Sequence, residues 1–281
     1  MSATASLSRP SRRALPGFGL SLGLALIWLG LIVIIPLGAL ALKPWELGPG
    51  GVVEVLLEGR TLAALRLSFG AALLAAGLAV PLGLLFAWVV VRYRFPGRRL
   101  LDAAVDLPFA LPTAVAGLAL TALFAPNGWL GAPLEAWFGW KVAFTPAGIV
   151  VALVFVALPF AARTVEPVLR DLPPDMEEAA ATLGATRAQA LWRVVLPSLL
   201  PAMVTGFALG FARAVGEYGS VIFIAGNMPM VSEIAPLLIL VKLEQFDYAA
   251  AAAVGLAMLL LSFVILLALN LLQRRLRRAA A

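Results

Sequence analysis

The sequence contains no cysteine and no histidine. Without cysteine there is no disulfide framework and no thiol nucleophile or ligand. Without histidine the commonest general base and metal ligand is missing, which removes an H-E-x-x-H zinc site and any Ser/His relay. No Gly-Lys dipeptide occurs either, so there is no G-x-x-x-x-G-K-[ST] loop to cradle ATP. Charge is scarce as well. Asp, Glu, Lys and Arg supply 13% of the chain, about half the share of a soluble domain.

What is present in quantity is apolar length. Of 281 residues, 62% are hydrophobic. Six apolar runs, 17–42, 62–91, 101–124, 145–166, 196–225 and 248–273, are each long enough to cross a bilayer. The pattern predicts an all-α integral membrane protein of six transmembrane helices. The organisation is a tail over 1–16, one helical bundle over 17–273 with no soluble domain attached, and a basic tail over 274–281. Arg9, Arg12 and Arg13 followed by an apolar stretch and Ala39-Leu40-Ala41 imitate a secretory signal. The apolar core is too long for one, so a retained first helix is expected.

The net charge of +6 is distributed by topology, and no basic face with interleaved aromatics suggests nucleic acid. Arg9, Arg12, Arg13, then Arg92, Arg94, Arg98, Arg99, then Arg163, Arg170, Arg187, Arg193, and finally Arg274, Arg275, Arg277 and Arg278 fall on one side of the implied membrane. Lys43, Arg60, Lys141 and Lys242 fall on the other. The arginine-rich side is expected to be cytoplasmic, with both termini inside. The segment 43–61 then becomes an extracytoplasmic loop. Trp45, Trp129, Trp137 and Trp140 read as outer interfacial anchors, and Trp88 and Trp192 as inner ones, all against membrane lipid.

Within the runs, Ala71, Ala75, Ala79 and Gly83 repeat every four positions, which lets a neighbouring helix approach closely. Asp102 and Asp106 stand one helical turn apart near the inner surface, within reach of Arg98 or Arg99. Pro108 and Pro112 interrupt the third run and direct it toward the bundle interior. Thr145-Pro146 starts the fourth. Arg213 and Glu217, at i and i+4 in the fifth run, read as a locally neutralised ion pair holding helices together or as part of a translocation pathway. Ser220 and Asn227 in the same glycine-rich stretch are candidates to contact an anion. Ile234–Val241 is apolar but too short to cross, and is expected to lie on the surface or dip back.

The stretch Asp175 to Pro197 is different. It lies between two apolar runs yet carries three acids and two arginines. Pro173 and Pro174 suit a helix entry, with acids in the first turn. Met176, Ala180 and Leu183 share one helical face. Gly184 suits the positive φ of a helix end. Thr186 with Gln189 then forms a capping box for a second helix. The expectation is a helix-turn-helix knob projecting from the membrane into water.

Glu178-Ala179-Ala180, three residues, Gly184, nine residues, Val194, one residue and Leu196-Pro197 resemble the EAA loop of ABC-importer permeases, with valine where isoleucine is usual. The resemblance extends along most of the chain. D-L-P-F-A-L-P-T-A-V-A-G (106–117), A-P-N-G-W-L-G (125–131), G-F-A-R-A-V-G-E-Y-G-S-V-I-F-I-A-G-N (210–227) and E-I-A-P-L-L-I (233–239) are similar to the sulfate/thiosulfate permeases of CysT (CysU) type. Molybdate and tungstate permeases share parts of it.

The resemblance implies a type I ABC importer (MetI-like) permease fold in a bacterial inner membrane, with the 171–197 loop as coupling helix. It implies no catalysis and no cofactor on this chain, ATP and magnesium belonging to a partner. The partners it implies are a second permease of CysW type, two ATP-binding subunits of CysA type and a periplasmic sulfate- or thiosulfate-binding protein. Glu178, Ala179, Ala180, Gly184, Leu196 and Pro197 carry over as residues coupling to the ATPase. A carrier driven by an ion gradient would not need the EAA spacing, and the chain lacks a proton-relay series of acids.

Overall fold

The computed structural model describes residues 18–280, and every regular element among them is a helix. The tail 1–16, with Arg9, Arg12 and Arg13, lies outside the described residues, as do the side chains of Arg277 and Arg278. Helix α1, Phe18–Leu57, is a long rod. It includes a wider π turn at Gly30–Ile34 and a tight 3₁₀ turn at Lys43–Leu47. The segment 43–61, read from sequence as a loop, is therefore helical to Leu57. Two prolines explain this. Pro44 and Pro49 each stand in the first turn of a short helical piece, where no N–H is needed. Gly48, at φ +69°, makes the joint between the pieces.

Helix α2, Gly59–Arg92, follows almost at once. The third apolar run is not one helix. It is realised as α3, Arg98–Ala104, α4, Leu107–Ala110, and α5, Thr113–Phe124. Pro108 begins α4 and Pro112 caps α5, with Leu111 extended between them; a residue before proline is driven out of the helical region. A short α6, Gly131–Phe138, leads to α7, Pro146–Asp171. Thr145 caps α7 by accepting from the Ala147 amide at 3.2 Å. Next come α8, Pro174–Thr182, and the long α9, Arg187–Val215. The fifth run was expected to continue to 225. It stops at Val215 because Gly216 ends the helix, and a separate turn, α10, Val221–Ile224, resumes after it. Helix α11, Ala235–Glu244, and α12, Tyr248–Ala280, complete the chain. The basic segment 274–280 is helical and continues α12.

Five of these helices, α1, α2, α7, α9 and α12, are long and apolar enough to cross a membrane. The centre is α2, α7 and α9, each packed on the other two. Small residues fix its spacing. Ala71, Ala75 and Ala79 are buried on α2, as the four-residue stripe predicts. At Gly83 an added Cβ would stand 2.7 Å from the Ala162 amide nitrogen, so the backbones nearly touch. From α9, a Cβ at Gly206 would stand 3.0 Å from the Cα of the same Ala161. Ala157 and Ala161 thus lie between glycine-lined neighbours, where only close van der Waals packing operates.

The two ends of the bundle are distinguishable by contact. At one, Arg92 of α2 meets Glu177 of α8. At the other, Arg60 of α2 meets Glu233 just before α11. The segment 226–247 does not lie free. Ala235, Leu237 and Leu238 are buried as α11 packs on α12 and α2. By contrast, α1 touches the remainder mainly along α12, and its most apolar stretch is unburied by this chain.

Candidate functional site

The 171–197 segment forms the compact projection its sequence implies. Helix α8 has Asp175 and Glu177 in its first turn, where acids complement the N-terminal dipole. Its end is closed by the Ala185 amide donating to the Ala180 carbonyl at 3.0 Å and the Gly184 amide donating to the Ala181 carbonyl at 2.9 Å. Gly184 sits at φ +83° with open space where a Cβ would go. Conformation, not crowding, therefore demands glycine here. The capping box is complete: the Gln189 amide donates to Thr186 Oγ1 at 3.3 Å, and the Thr186 amide donates to Gln189 Oε1 at 2.8 Å.

Helix α9 then passes through a wide π turn, Leu191–Val195. Pro197 follows two residues later. It cannot donate to the carbonyl four residues back, and widening the preceding turn relieves the clash of its ring. The same pairing of a wide turn with a proline recurs at Gly30–Ile34 and Pro36.

The predicted coupling residues do not form an internal cluster. Glu178, Ala179, Gly184 and Pro197 are exposed, and Ala180 and Leu196 are half-buried. Among the described residues Glu178 has no ion-pair partner, whereas Glu177 beside it is bound by Arg92. The apolar face of α8 points outward: Leu183 is 88% exposed and Met176 40%. Trp192 is also largely exposed. An exposed leucine on a well-capped projection is a surface that something outside this chain can cover.

The second group of candidates lies where α9 ends. Arg213 Nη1 donates to Glu217 Oε2. Glu217 Oε1 in turn accepts from the Ser220 amide and from Ser220 Oγ, both at 3.0 Å. Glu217 and Ser220 are buried, while the Arg213 side chain keeps 35% of its exposure. The pair is local to one segment rather than a bridge between distant helices. Asn227 does not join it. Its Nδ2 donates to the Ile222 carbonyl at 2.8 Å, and its backbone takes φ +54° to close that loop. A Cβ at Gly117 of α5 would stand 2.4 Å from the Ser220 carbonyl, so α5 lies backbone-to-backbone on the Ser220 turn.

Three long-range arginine contacts were not foreseen. Asp102 and Asp106 are bound by Arg163 of α7, not by Arg98 or Arg99. Arg163 Nη1 donates to Asp102 Oδ1 and to Glu166 Oε2, both at 2.6 Å, and Nη2 to Asp106 Oδ2 at 2.7 Å. Arg170 donates to the other oxygen of buried Glu166 at 2.5 Å. The broken third run is thereby fastened to α7. Arg92–Glu177 and Arg60–Glu233 are the other two contacts. The i, i+3 spacing of Arg163 and Glu166 and the i, i+4 spacing of Glu166 and Arg170 were visible in sequence; the remaining partners are far apart in the chain. Among the described residues no group of three or more His, Cys, Asp or Glu could hold a metal ion.

Residues 79–278 match the family model described as "Binding-protein-dependent transport system inner membrane component". The chain is 49% identical over 272 residues to a sulfate transport system permease protein CysT of Salmonella typhimurium, covering 97% of this chain and 98% of that one. It is 50% identical over 268 residues to the protein of the same name from Escherichia coli, covering 95% and 96%. Among solved structures it is similar to a bacterial ABC transporter that imports the acidic polysaccharide alginate, with a TM-score of 0.75 at 18% identity over 92% of this chain and 96% of that one. It is also similar to the MetNI methionine ABC transporter, with a TM-score of 0.54 at 21% identity over 80% and 97%. At these identities the structural likeness is one of fold.

Proposed function

The chain belongs to the family of binding-protein-dependent transport system inner membrane components, and from that premise we propose that it is the permease subunit of an ATP-driven importer of sulfate or thiosulfate. The observation that carries this reading is the projection at 171–197, well capped and displaying Leu183 to solvent between two membrane helices. Such a face is suited to a cleft on a separate ATP-hydrolysing subunit. The substrate follows from the two relatives, which cover nearly the whole of both chains at about half identity and are named for sulfate transport.

In this reading α3, α4 and α5 together make the third of six crossings, and 17–273 is one permease domain. The arginine-rich end, with both termini, faces the cytoplasm of a bacterial inner membrane. A second permease of CysW type completes the pathway, two CysA-type subunits supply ATP and magnesium, and a periplasmic binding protein delivers the anion at the end bearing Glu233. Glu178, Ala179, Ala180 and Gly184 form the coupling surface, continued by Leu196 and Pro197 into α9.

The anion pathway is the opening between the two permeases. Here Arg213 is a charged group with a free flank, since Glu217 and Ser220 are buried behind it. Because Arg213 is already neutralised by Glu217, a dianion meets dipoles and spare N–H groups rather than an unopposed charge. This favours release as much as capture, since a fully paired anion would leave slowly.

Co-purification tests the proposal. The chain extracted from membranes with its ATP-binding partner should bring that partner down, and reconstituted vesicles should accumulate radiolabelled sulfate only with ATP and binding protein. Sulfate accumulation with no nucleotide-hydrolysing subunit present would refute it; uptake competed by molybdate but not thiosulfate would move the substrate to another oxyanion.

A further inference from the structure

Helix α8 is joined to α7 through Leu172 and Pro173 and to α9 through the turn after Thr182. Its tie to α2 is a single ion pair. Arg92 Nη2, at the last residue of α2, donates to Glu177 Oε1 at 2.5 Å. The guanidinium carbon of Arg92 also lies 5.5 Å from the ring centre of Trp88, one turn earlier on α2, within the range of cation–π attraction. Arg92 is thus held in place by its own helix while it holds Glu177.

Around this contact, apolar packing is thin. A cavity of about 440 Å³ separates Trp88 and Tyr93 from the projection, whose facing residues include Ala181, Ala185 and Ala188. Three alanines opposite two large aromatic rings leave a gap instead of a seam. Pulling α8 away from α2 would break few van der Waals contacts, so the ion pair is the principal tie. The pair is only partly exposed, 25% at Arg92 and 34% at Glu177, and is screened less than a fully solvated one.

Resting on the coupling role proposed above for the 171–197 segment, we infer that Arg92 is a positioning residue for energy coupling: through Glu177 it braces the projection against the inner end of α2, so that a push from the ATP-hydrolysing partner moves the projection and the bundle together. Without it part of the push would be taken up as α8 swings across the gap. Differential motion of this kind is how a coupling free energy between sites is lost without loss of either site.

The absence of cysteine gives a direct test. Spin labels placed at Thr182→Cys on α8 and Leu85→Cys on α2 report the separation of the two helices in the assembled transporter. With Arg92 intact, addition of a non-hydrolysable ATP analogue should leave that separation unchanged. In Arg92→Gln it should change, and ATP hydrolysed per sulfate imported should rise by about fivefold or more, while the ATP-binding subunit still co-purifies. Glu177→Gln breaks the same contact from the exposed side without disturbing the bundle, and should reproduce both effects. The exchange Arg92→Glu with Glu177→Arg should restore both.

A label separation that changes on nucleotide binding with Arg92 intact overturns the inference. So does native behaviour in both single variants, or failure of the exchange to restore coupling. Loss of the ATP-binding subunit from the unaltered chain is a different result, and refutes the proposed function instead.

Discussion

Arg60 holds Glu233 through two parallel hydrogen bonds, Nε to Oε2 and Nη2 to Oε1, each 2.7 Å, across 173 residues of sequence. The fork geometry matches guanidinium to carboxylate and sets orientation as well as distance. It fixes the start of α11 to the start of α2. Ser68 adds a second fastening by accepting from the Ala235 amide at 2.8 Å. Glu233 is buried to 2% side-chain exposure and Arg60 is partly open at 32%. Glu233→Ala should therefore destabilise the detergent-solubilised protein by about 2 kcal/mol, less than a fully buried pair because Arg60 can recruit water. Thermal unfolding would measure this, and the Arg60→Leu/Glu233→Leu double variant should lose less than the sum of the two single leucine variants.

The α2–α7 crossing predicts a contrast between two glycines of one helix. A methyl at Gly83 would stand 2.7 Å from backbone of α7, whereas at Gly77 the nearest atom, on Phe207, is 4.0 Å away. Gly83→Ala should cost about 1–3 kcal/mol through forced separation of the helices. Gly77→Ala should be neutral or slightly stabilising, as glycine gives way to a better helix former. The yield of monodisperse protein and its unfolding temperature would separate the two.

Leu183 is 88% exposed, so Leu183→Asp should change the stability of the isolated chain by no more than about 0.5 kcal/mol. If the projection docks into an ATP-hydrolysing partner, the same substitution should abolish co-purification of that partner. Gly184→Ala should also weaken capture. It acts by a different route, imposing about 1 kcal/mol of left-handed strain at φ +83°. A stable chain that keeps its partner in both variants would remove this face from the interface.

Arg163 gathers three carboxylates, those of Asp102, Asp106 and Glu166. Arg163→Ala leaves the two aspartates without a cation and should release α3 and α4 from α7. Limited proteolysis between Arg98 and Pro112 would detect the release as faster cleavage. Arg163→Lys should rescue only in part, because one ammonium cannot reproduce a planar fork across two aspartates. Adding Asp102→Asn to Arg163→Ala should recover some protection by lowering the unpaired negative charge.

What was legible in the sequence was local. The capping box at Thr186 and Gln189, the turn at Gly184 and the break at Pro108 and Pro112 each depend on residues within one or two turns. The stripe Ala71, Ala75, Ala79, Gly83 was legible because helical period alone puts it on one face. The helical course of 43–57 was hidden by its glycines and prolines, which read as loop but stand at helix starts. The end of α9 at Val215 was hidden in a run that stays apolar beyond it. Arg163 was separated from its aspartates by 57 and 61 residues, and no periodicity connects α7 with the broken third run. For the candidate site, the projection was legible almost residue by residue. The partner of Glu177 was not, because that contact spans 85 residues.

Ala157 and Ala161 meet backbone, or the stub of a side chain, on both of their flanks. No rotamer can turn there to absorb sliding, and no methylene can be traded for space. The middle of the molecule is in effect a tight bundle of three rods, each wedged against the other two. Whatever bending the protein performs is relegated to its margins: the proline-jointed pieces on one side, the short turn after Val215, and a first rod that leans mainly on α12.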